Sequence, residues 1–232
     1  MEEIFQYGQR SNQAGRSFQE ITTIYATDNI YFNNGQSNVI VGVRNINLDQ
    51  RNEALGGATT STLSGSDTNF QFGGVHRINP NLSVFASWAD SFRPQNRTDP
   101  NTGELVGPQT SEAIEVGLKF ADMYDGKLTG SVTAFRIEQN NVFRSDHNPV
   151  TFVNDQAITD DLSEGLEFEL FINPVPHWNI VAAYSYIDAM VVGDVATGLP
   201  LEGATPHRFT LFNSYTIQEG PLAGVRFGGG LV

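Results

Sequence analysis

The stretch SEAIEVGLKF, residues 111–120, alternates between apolar and polar side chains, and this pattern restricts the folds open to the chain. Its apolar residues recur at every second position: Ile114, Val116, Leu118 and Phe120. The positions between them are charged or carry no side chain: Glu115, Gly117 and Lys119. Successive side chains of a β-strand point to opposite faces, so the stretch predicts a strand with one apolar face. That face has two possible neighbours, the core of a soluble sandwich or membrane lipid.

Similar alternation recurs along the chain and predicts an all-β protein of about ten antiparallel strands. The predicted strands are 17–32, 38–47, 68–78, 82–91, 112–121, 127–141, 164–172, 178–189, 206–217 and 222–232. The pattern is blurred in 127–141, where Phe135 and Ile137 share a face with polar residues. A β-bulge, or a strand longer than the bilayer, would explain this irregularity.

The links between the predicted strands alternate in length without exception. The short links are rich in turn residues: 33–37, 79–81, 122–126, 173–177 and 218–221. The long links are polar, and 56–69 has the composition of a mobile loop tip: 48–67, 92–111, 142–163 and 190–205. Long structureless loops are uncommon in compact soluble domains, whereas outer-membrane barrels have short periplasmic turns and long extracellular loops. The links therefore predict a transmembrane β-barrel portion in which residues 1–16 are extracellular.

Composition excludes several classes of protein. The chain carries 13 Lys and Arg against 26 Asp and Glu, a formal charge of −13. This balance argues against nucleic-acid binding and against a polybasic membrane-docking face. Since there is no cysteine, disulfides, thiolate zinc sites and cysteine nucleophiles are excluded as well. Apolar stretches such as 180–184 are far shorter than the ~18 residues of a membrane-spanning helix.

No motif for catalysis or for metal binding stands out. The four histidines are not paired at metal-binding spacing: His76, His147, His177 and His207. Ser, His and acidic residues leave an outer-membrane hydrolase conceivable, but their spacing does not support one. The segment 154–164 offers Asp155, Asp160 and Asp161 to a cation, yet it lacks the alternating ligands of a calcium loop. We expect a solvated loop there, and no catalytic residue, metal or cofactor in the chain.

Five aromatic residues predict a girdle at the membrane–water boundary. They fall on the apolar faces of their strands, several near strand ends: Trp88, Trp178, Tyr184, Tyr186 and Tyr215. Trp and Tyr suit this boundary because one edge of each ring is apolar and the other can form a hydrogen bond. A soluble β-core could also hold them. However, the opposite faces carry charges that would be costly to bury in a sandwich: Glu115, Lys119, Glu167, Glu169 and Arg208.

The chain also resembles the TonB-dependent siderophore receptors of Gram-negative outer membranes. The similar segments occur in the family's order: 23–44, 84–96, 108–120, 128–142, 163–189 and 201–215. They contain the combination SFRPQ, E.GLKF, FRI.QNNV, SEGLE.E and P.HR. The resemblance implies a plugged barrel of about 22 strands. Such a barrel moves ferric siderophores into the periplasm with energy from the TonB complex.

The resemblance covers only the later middle of such a barrel, so we interpret residues 1–232 as a partial barrel domain. The plug with its TonB box, and the final strands, are the family parts that it does not cover. Contact with TonB is implied through that plug. A passive porin-like channel is the alternative function, followed by an outer-membrane enzyme. An open sheet exposes unpaired backbone groups at its edges, so we expect the isolated chain to form inclusion bodies.

The resemblance further implies that the external loops help to collect the chelate. The loops 92–111, 142–163 and 190–205 supply four candidate contacts: Arg93, Arg97, Phe143 and Arg144. An Arg side chain offers a forked set of donors for carboxylate or catecholate oxygens, and a Phe ring offers a stacking face. Because the plug half of the site lies outside the chain, we expect the isolated chain to bind no siderophore with useful affinity.

Overall fold

A computed structural model shows one antiparallel sheet of ten strands in sequence order. It describes residues 15–54, 57–95, 97, 99, 102–104, 106–147, 154–193 and 197–232. The strands are β1 (Gly15–Phe32), β2 (Ser37–Ala54), β3 (Thr59–Asn79), β4 (Leu82–Arg93), β5 (Gln109–Asp122), β6 (Leu128–His147), β7 (Asn154–Ile172), β8 (Trp178–Val192), β9 (His207–Thr216) and β10 (Arg226–Leu231). A four-residue turn, α1 (Met123–Gly126), separates β5 from β6. Among the described residues no helix has the length and apolarity to cross a bilayer. The predicted all-β fold of ten strands is confirmed.

The strand register gathers the predicted apolar residues onto one side of the sheet, here called the apolar face. One row of directly paired residues crosses five strands: Val84, Leu118, Val132, Phe168 and Tyr184. The neighbouring row points to the other side, the polar face: Ser83, Lys119, Ser131 and Glu169. The alternation seen in SEAIEVGLKF is therefore shared across the sheet.

The apolar face has no protein layer against it. Val116 is 49% exposed and Ile114 is 46% exposed, although both lie in the middle of the sheet. Among the described residues the buried apolar side chains are Leu48, Ala189 and Val191. A soluble sandwich would bury its apolar face against a second sheet. This single layer therefore needs hydrocarbon as its neighbour.

The strands extend much further into the long links than predicted. Residues 48–67 were expected to form a loop, and that prediction is wrong, because β2 and β3 remain paired as far as Glu53 and Thr59. The predicted loop tip 56–69 is accordingly strand from Thr59 onward. Backbone hydrogen bonds form the ladder whatever the side chains are. Beyond the lipid both faces of a strand meet water, so the apolar–polar alternation that marks a strand in the sequence disappears.

The same correction applies to 142–163. Strand β6 continues to His147 and β7 begins at Asn154, while 148–153 lie outside the described residues. The solvated loop predicted for 154–164 is therefore strand, and Asp161 is 6% exposed. The side chain of Asp155 is outside the described set.

The blurred alternation of β6 has a local cause. Phe135 lies on the polar face, where its ring covers Gly165 of β7. A Cβ built on Gly165 would lie 3.0 Å from the ring edge and 2.1 Å from the carbonyl oxygen of Tyr186. The aromatic ring thus fills the space above a residue that has no side chain. The predicted bulge does exist, but it lies at the end of the predicted segment, between Gln139 and Val142.

Links join successive strands at alternate ends of the sheet, so each end carries its own set of links. One end, here called the turn end, carries the links 33–36, 80–81, 123–127, 173–177 and 217–225. The opposite end, the loop end, carries 55–58, 94–108, 148–153 and 193–206. Because the strands are long, the contrast in link length is smaller than predicted. The candidate binding residues gather at the loop end.

Candidate functional site

A cavity of about 550 Å³ opens at the loop end of the sheet. Its walls come from β2, from β4 and the link that follows it, and from β5 and β6: Gln50, Asn52, Arg93, Pro94, Gln95, Arg97, Gln109, Val142 and Phe143. Strand β4 ends at Arg93, because Pro94 has no N–H with which to continue the ladder. Three of the four predicted contact residues therefore lie in one cavity: Arg93, Arg97 and Phe143.

The link after β4 holds Arg97 above the ring of Phe143. The guanidinium carbon of Arg97 lies 4.9 Å from the ring centroid, which is cation–π distance. The Arg97 carbonyl accepts a hydrogen bond of 2.8 Å from the N–H of Val106. Asp99 donates to the carbonyl of Glu104 at 2.8 Å, and Gly103 donates back to Asp99 at 2.9 Å. The link is thus a small hydrogen-bonded hairpin that carries the arginine.

Arg144, the fourth predicted contact, lies outside the wall of this cavity. One of its terminal nitrogens donates to both carboxylate oxygens of Asp161, at 2.7 and 2.6 Å. Its Nε donates to the hydroxyl of Thr159 at 3.0 Å. The side chain of Asp161 is 8% exposed and that of Arg144 is 28% exposed. Arg144 is therefore committed to neighbouring strands.

The cavity presents hydrogen-bond donors to an oxygen-rich ligand. Arg93 and Arg97 are exposed, and each guanidinium can bind two oxygens at once. Sequence reasoning missed the amide side chains of the wall: Gln50, Asn52, Gln95 and Gln109. The amide nitrogens of Gln50 and Gln95 donate within the protein, so these two side chains shape the wall rather than offer donors to a ligand. Gln50 and Asn52 belonged to a predicted loop, where nothing in the pattern indicated which way they point. The wall therefore combines positive charge, amides and one aromatic ring.

The five predicted girdle residues all lie on the apolar face, and two of them pair across β8 and β9. Trp178 is paired with Tyr215 at the turn end. The Nε1 of Trp178 donates to the side-chain oxygen of Asn213 at 2.5 Å. Trp88 likewise donates to Glu112 at 2.7 Å. Each indole therefore satisfies its one polar atom while its rings remain on the apolar face.

Tyr184 and Tyr186 meet at His207 on the same face. The hydroxyl of Tyr184 lies 2.9 Å from Nδ1 of His207. The ring of Tyr186 lies 5.1 Å from the imidazole. His207, at the start of β9, thereby connects two of the predicted girdle residues.

A serine–histidine pair lies at the turn end, on the apolar face and far from the cavity. Ser37 Oγ and His76 Nδ1 are 2.9 Å apart, and Asn33 donates to the same hydroxyl at 3.0 Å. Ser37 is 4% exposed, so its hydroxyl is closed to an incoming substrate. Within the part of the chain that the structure describes, no three His, Asp or Glu residues converge to hold a metal.

Comparison with known proteins gives a consistent family. The family described as "TonB dependent receptor-like, beta-barrel" matches residues 4–231. An uncharacterized TonB-dependent receptor of Haemophilus influenzae is 34% identical over 167 residues, covering 69% of this chain and 47% of that protein.

Two further relatives have named ligands. The ferric-pyoverdine BN7/BN8 receptor of Pseudomonas putida is 30% identical over 201 residues, covering 83% of this chain and 23% of the relative. The metal-pseudopaline receptor CntO of Pseudomonas aeruginosa is 28% identical over 160 residues, covering 68% and 22%.

A solved structure shares the fold. The ferripyoverdine receptor of the Pseudomonas aeruginosa outer membrane superimposes with a TM-score of 0.73 at 23% identity. The match covers 93% of this chain and 28% of that one. The chain thus spans between about a fifth and a half of the length of the proteins it matches.

Proposed function

The chain belongs to the TonB-dependent receptor β-barrel family of Gram-negative outer membranes, and on that premise we propose that it serves TonB-dependent uptake of a metal chelate. The family match over residues 4–231 carries this proposal. The sheet would be part of the barrel wall, with its apolar face toward lipid and its polar face toward the lumen. The loop end would face the outside of the cell. The plug and the TonB contact would be supplied by parts of a receptor beyond these residues.

We propose a ferric siderophore as the cargo, bound in part by Arg93, Arg97 and Phe143. A relative named as a ferric-pyoverdine receptor supports the chelate class. The cavity supports the position, since it joins two exposed guanidinium groups to an aromatic ring. Negatively charged or polarised oxygens around iron would accept hydrogen bonds from the arginines. A planar part of the chelate would lie against Phe143.

A second cargo follows from a different relative. The metal-pseudopaline receptor is named for a metal chelate without reference to iron. A chelate of another transition metal would also present oxygen acceptors to the two arginines. Disruption of the gene would distinguish the two cargoes. The cells would become short of iron if the cargo is a ferric siderophore, and short of another transition metal if it is the second chelate.

Uptake measurements test the proposed function. Alleles are placed in the chromosomal gene, so any further segments of the receptor remain intact. Arg93→Gln and Arg97→Gln should each raise the half-saturating chelate concentration roughly tenfold, because a hydrogen bond to a charged group is worth about 1.5–3 kcal/mol. The matched control is Arg226→Gln, whose guanidinium binds Ser214 at the turn end. The proposed site would be refuted if the unaltered strain and the three variant strains took up every labelled ferric and non-ferric chelate equally well.

Energy dependence separates this proposal from a passive porin. Collapse of the proton gradient, or loss of TonB, should stop uptake of the chelate in cells that carry the unaltered gene. A porin would continue to equilibrate small solutes under either condition. For an outer-membrane enzyme, the Ser37–His76 pair is the serine–histidine contact to examine among the described residues. Ser37→Ala should leave uptake unchanged because the Ser37 hydroxyl is buried.

A further inference from the structure

We propose that Gln95 and Asn141 form a clasp that positions Arg97 over Phe143, and so set the affinity of the cavity for its chelate. Both are positioning residues that act through Arg97 and Phe143. The inference rests on the proposed function, since it concerns the same cavity. The clasp explains how Arg97, on a link, and Phe143, on β6, are held in contact.

Gln95 closes the neck of the link that carries Arg97. Its Nε2 donates to the carbonyl of Gly107 at 2.8 Å and to the carbonyl of Asn141 at 2.7 Å. The first bond joins the two ends of the small hairpin, and the second joins the hairpin to β6. An amide nitrogen has two donors, and both are used here. Gln95 is half-buried, so water competes for these bonds less than it would on an open loop.

Asn141 holds the other side of the clasp. Its Nδ2 donates to the carbonyl of Pro108 at 3.0 Å, on the strand side of the same neck. Its backbone N–H donates to Asp160 Oδ1, also at 3.0 Å. Its φ of +60° lies in the left-handed region, which Asn tolerates better than most residues. Asn141 therefore both adopts the left-handed backbone conformation and donates the hydrogen bond to the link.

The bulge at Asn141 also decides where Phe143 lies. Gln139 is opposite Asp161, and Val142 is opposite Thr159. Asn140 and Asn141 thus face the single residue Asp160, which is a β-bulge. A bulge changes which side chains reach each face beyond it. The extra residue therefore places Phe143 opposite Ile158, and in that position its ring centroid lies 4.9 Å from the Arg97 guanidinium carbon.

The clasp can be broken without removing any group of the proposed binding surface that donates to the ligand. Gln95→Met keeps the length of the side chain and removes both donors. Asn141→Gly keeps the left-handed backbone accessible and removes the bond to Pro108. The matched control is Asn81→Leu, because the Asn81 amide also donates to two backbone carbonyls, those of Ala121 and Asp122, but at the turn end, where β5 finishes.

Two measurements follow in cells that carry these alleles. Gln95→Met and Asn141→Gly should each raise the half-saturating concentration of the labelled ferric chelate about three- to tenfold, with the maximal rate per assembled receptor unchanged. In outer membranes from the same cells, nitroxide labels on cysteines introduced at Thr102 and Ser145 report the distance between link and strand. The described chain has no cysteine of its own to compete for the label. The distance distribution should broaden in both variants and stay narrow in Asn81→Leu.

The outcomes distinguish failure of the clasp from failure of the proposed function. An unchanged distance distribution would overturn the clasp, even if Arg97→Gln reduces uptake. A broadened distribution with unchanged uptake would overturn the positioning role. If Arg97→Gln were silent as well, the proposed site itself would be wrong. Loss of affinity together with broadening, in the two clasp variants alone, supports the inference.

Discussion

The ion pair between Arg144 and Asp161 should stabilise the ladder of β6 and β7 beyond the lipid. Arg144 makes three hydrogen bonds there, two to Asp161 and one to Thr159. Arg144→Met removes the charge and the donors but keeps much of the side-chain volume. It leaves a carboxylate that is 8% exposed with no cation beside it. We therefore expect this substitution to open the ladder locally.

The magnitude follows from the burial of the two partners. Removing one partner of a fully buried pair costs about 3–5 kcal/mol. Arg144 is 28% exposed, so water screens part of the interaction, and we take about 2 kcal/mol. Since 1.4 kcal/mol is a factor of ten, amide hydrogens of this ladder should exchange roughly 30-fold faster. The double variant Arg144→Met with Asp161→Leu should recover most of the protection, because no charge is then left buried.

Hydrogen–deuterium exchange in outer-membrane vesicles measures this effect. Peptides from 142–147 and 156–162 should lose protection in Arg144→Met, while 166–172, in the apolar belt, should not. Arg136→Met is the matched control, because its partners Glu138 and Glu164 are exposed carboxylates; exchange should stay within about twofold. Unchanged exchange in Arg144→Met, or a double variant less protected than the single one, would refute this reasoning. Reduced chelate affinity without faster exchange would return Arg144 to the binding site.

Three further predictions concern orientation in the membrane, assembly and ligand binding. An epitope inserted at 152 of the receptor should label intact cells and one at 124 should not, because these links lie at opposite ends of the strands; the reverse labelling would invert the proposed topology. Gly165→Ala should reduce the amount of heat-modifiable receptor, since its Cβ would lie 2.1 Å from a backbone oxygen. Gly229→Ala should not, because nothing lies within 4 Å of the added carbon. The isolated chain, refolded and titrated calorimetrically with ferric hydroxamates and catecholates, should give no heat of binding, and saturable micromolar binding would show that this segment holds a complete site.

The sequence predicted those parts of the fold in which the two faces of a strand meet different surroundings. Within the apolar belt every second residue must be apolar, so all ten strands could be recognised. Beyond the belt this requirement ends, and the paired segment around Leu48 and Gly65 has the composition of a loop. The ladder there is held by backbone hydrogen bonds, which leave no period in the side chains. Strand ends were therefore predicted too short on the side of the long links.

The same limit explains why two arginines chosen by one argument differ in the structure. Arg97 and Arg144 were both candidate contacts because each was assigned to a polar link. Asp161 was assigned to a solvated loop as well, so nothing indicated that it could take up a guanidinium. Once β7 extends to Asn154, Asp161 and Arg144 lie on paired strands, and the carboxylate accepts two hydrogen bonds from one terminal nitrogen of the arginine. Arg97, by contrast, is exposed and lies over the ring of Phe143, a contact that does not require its N–H donors.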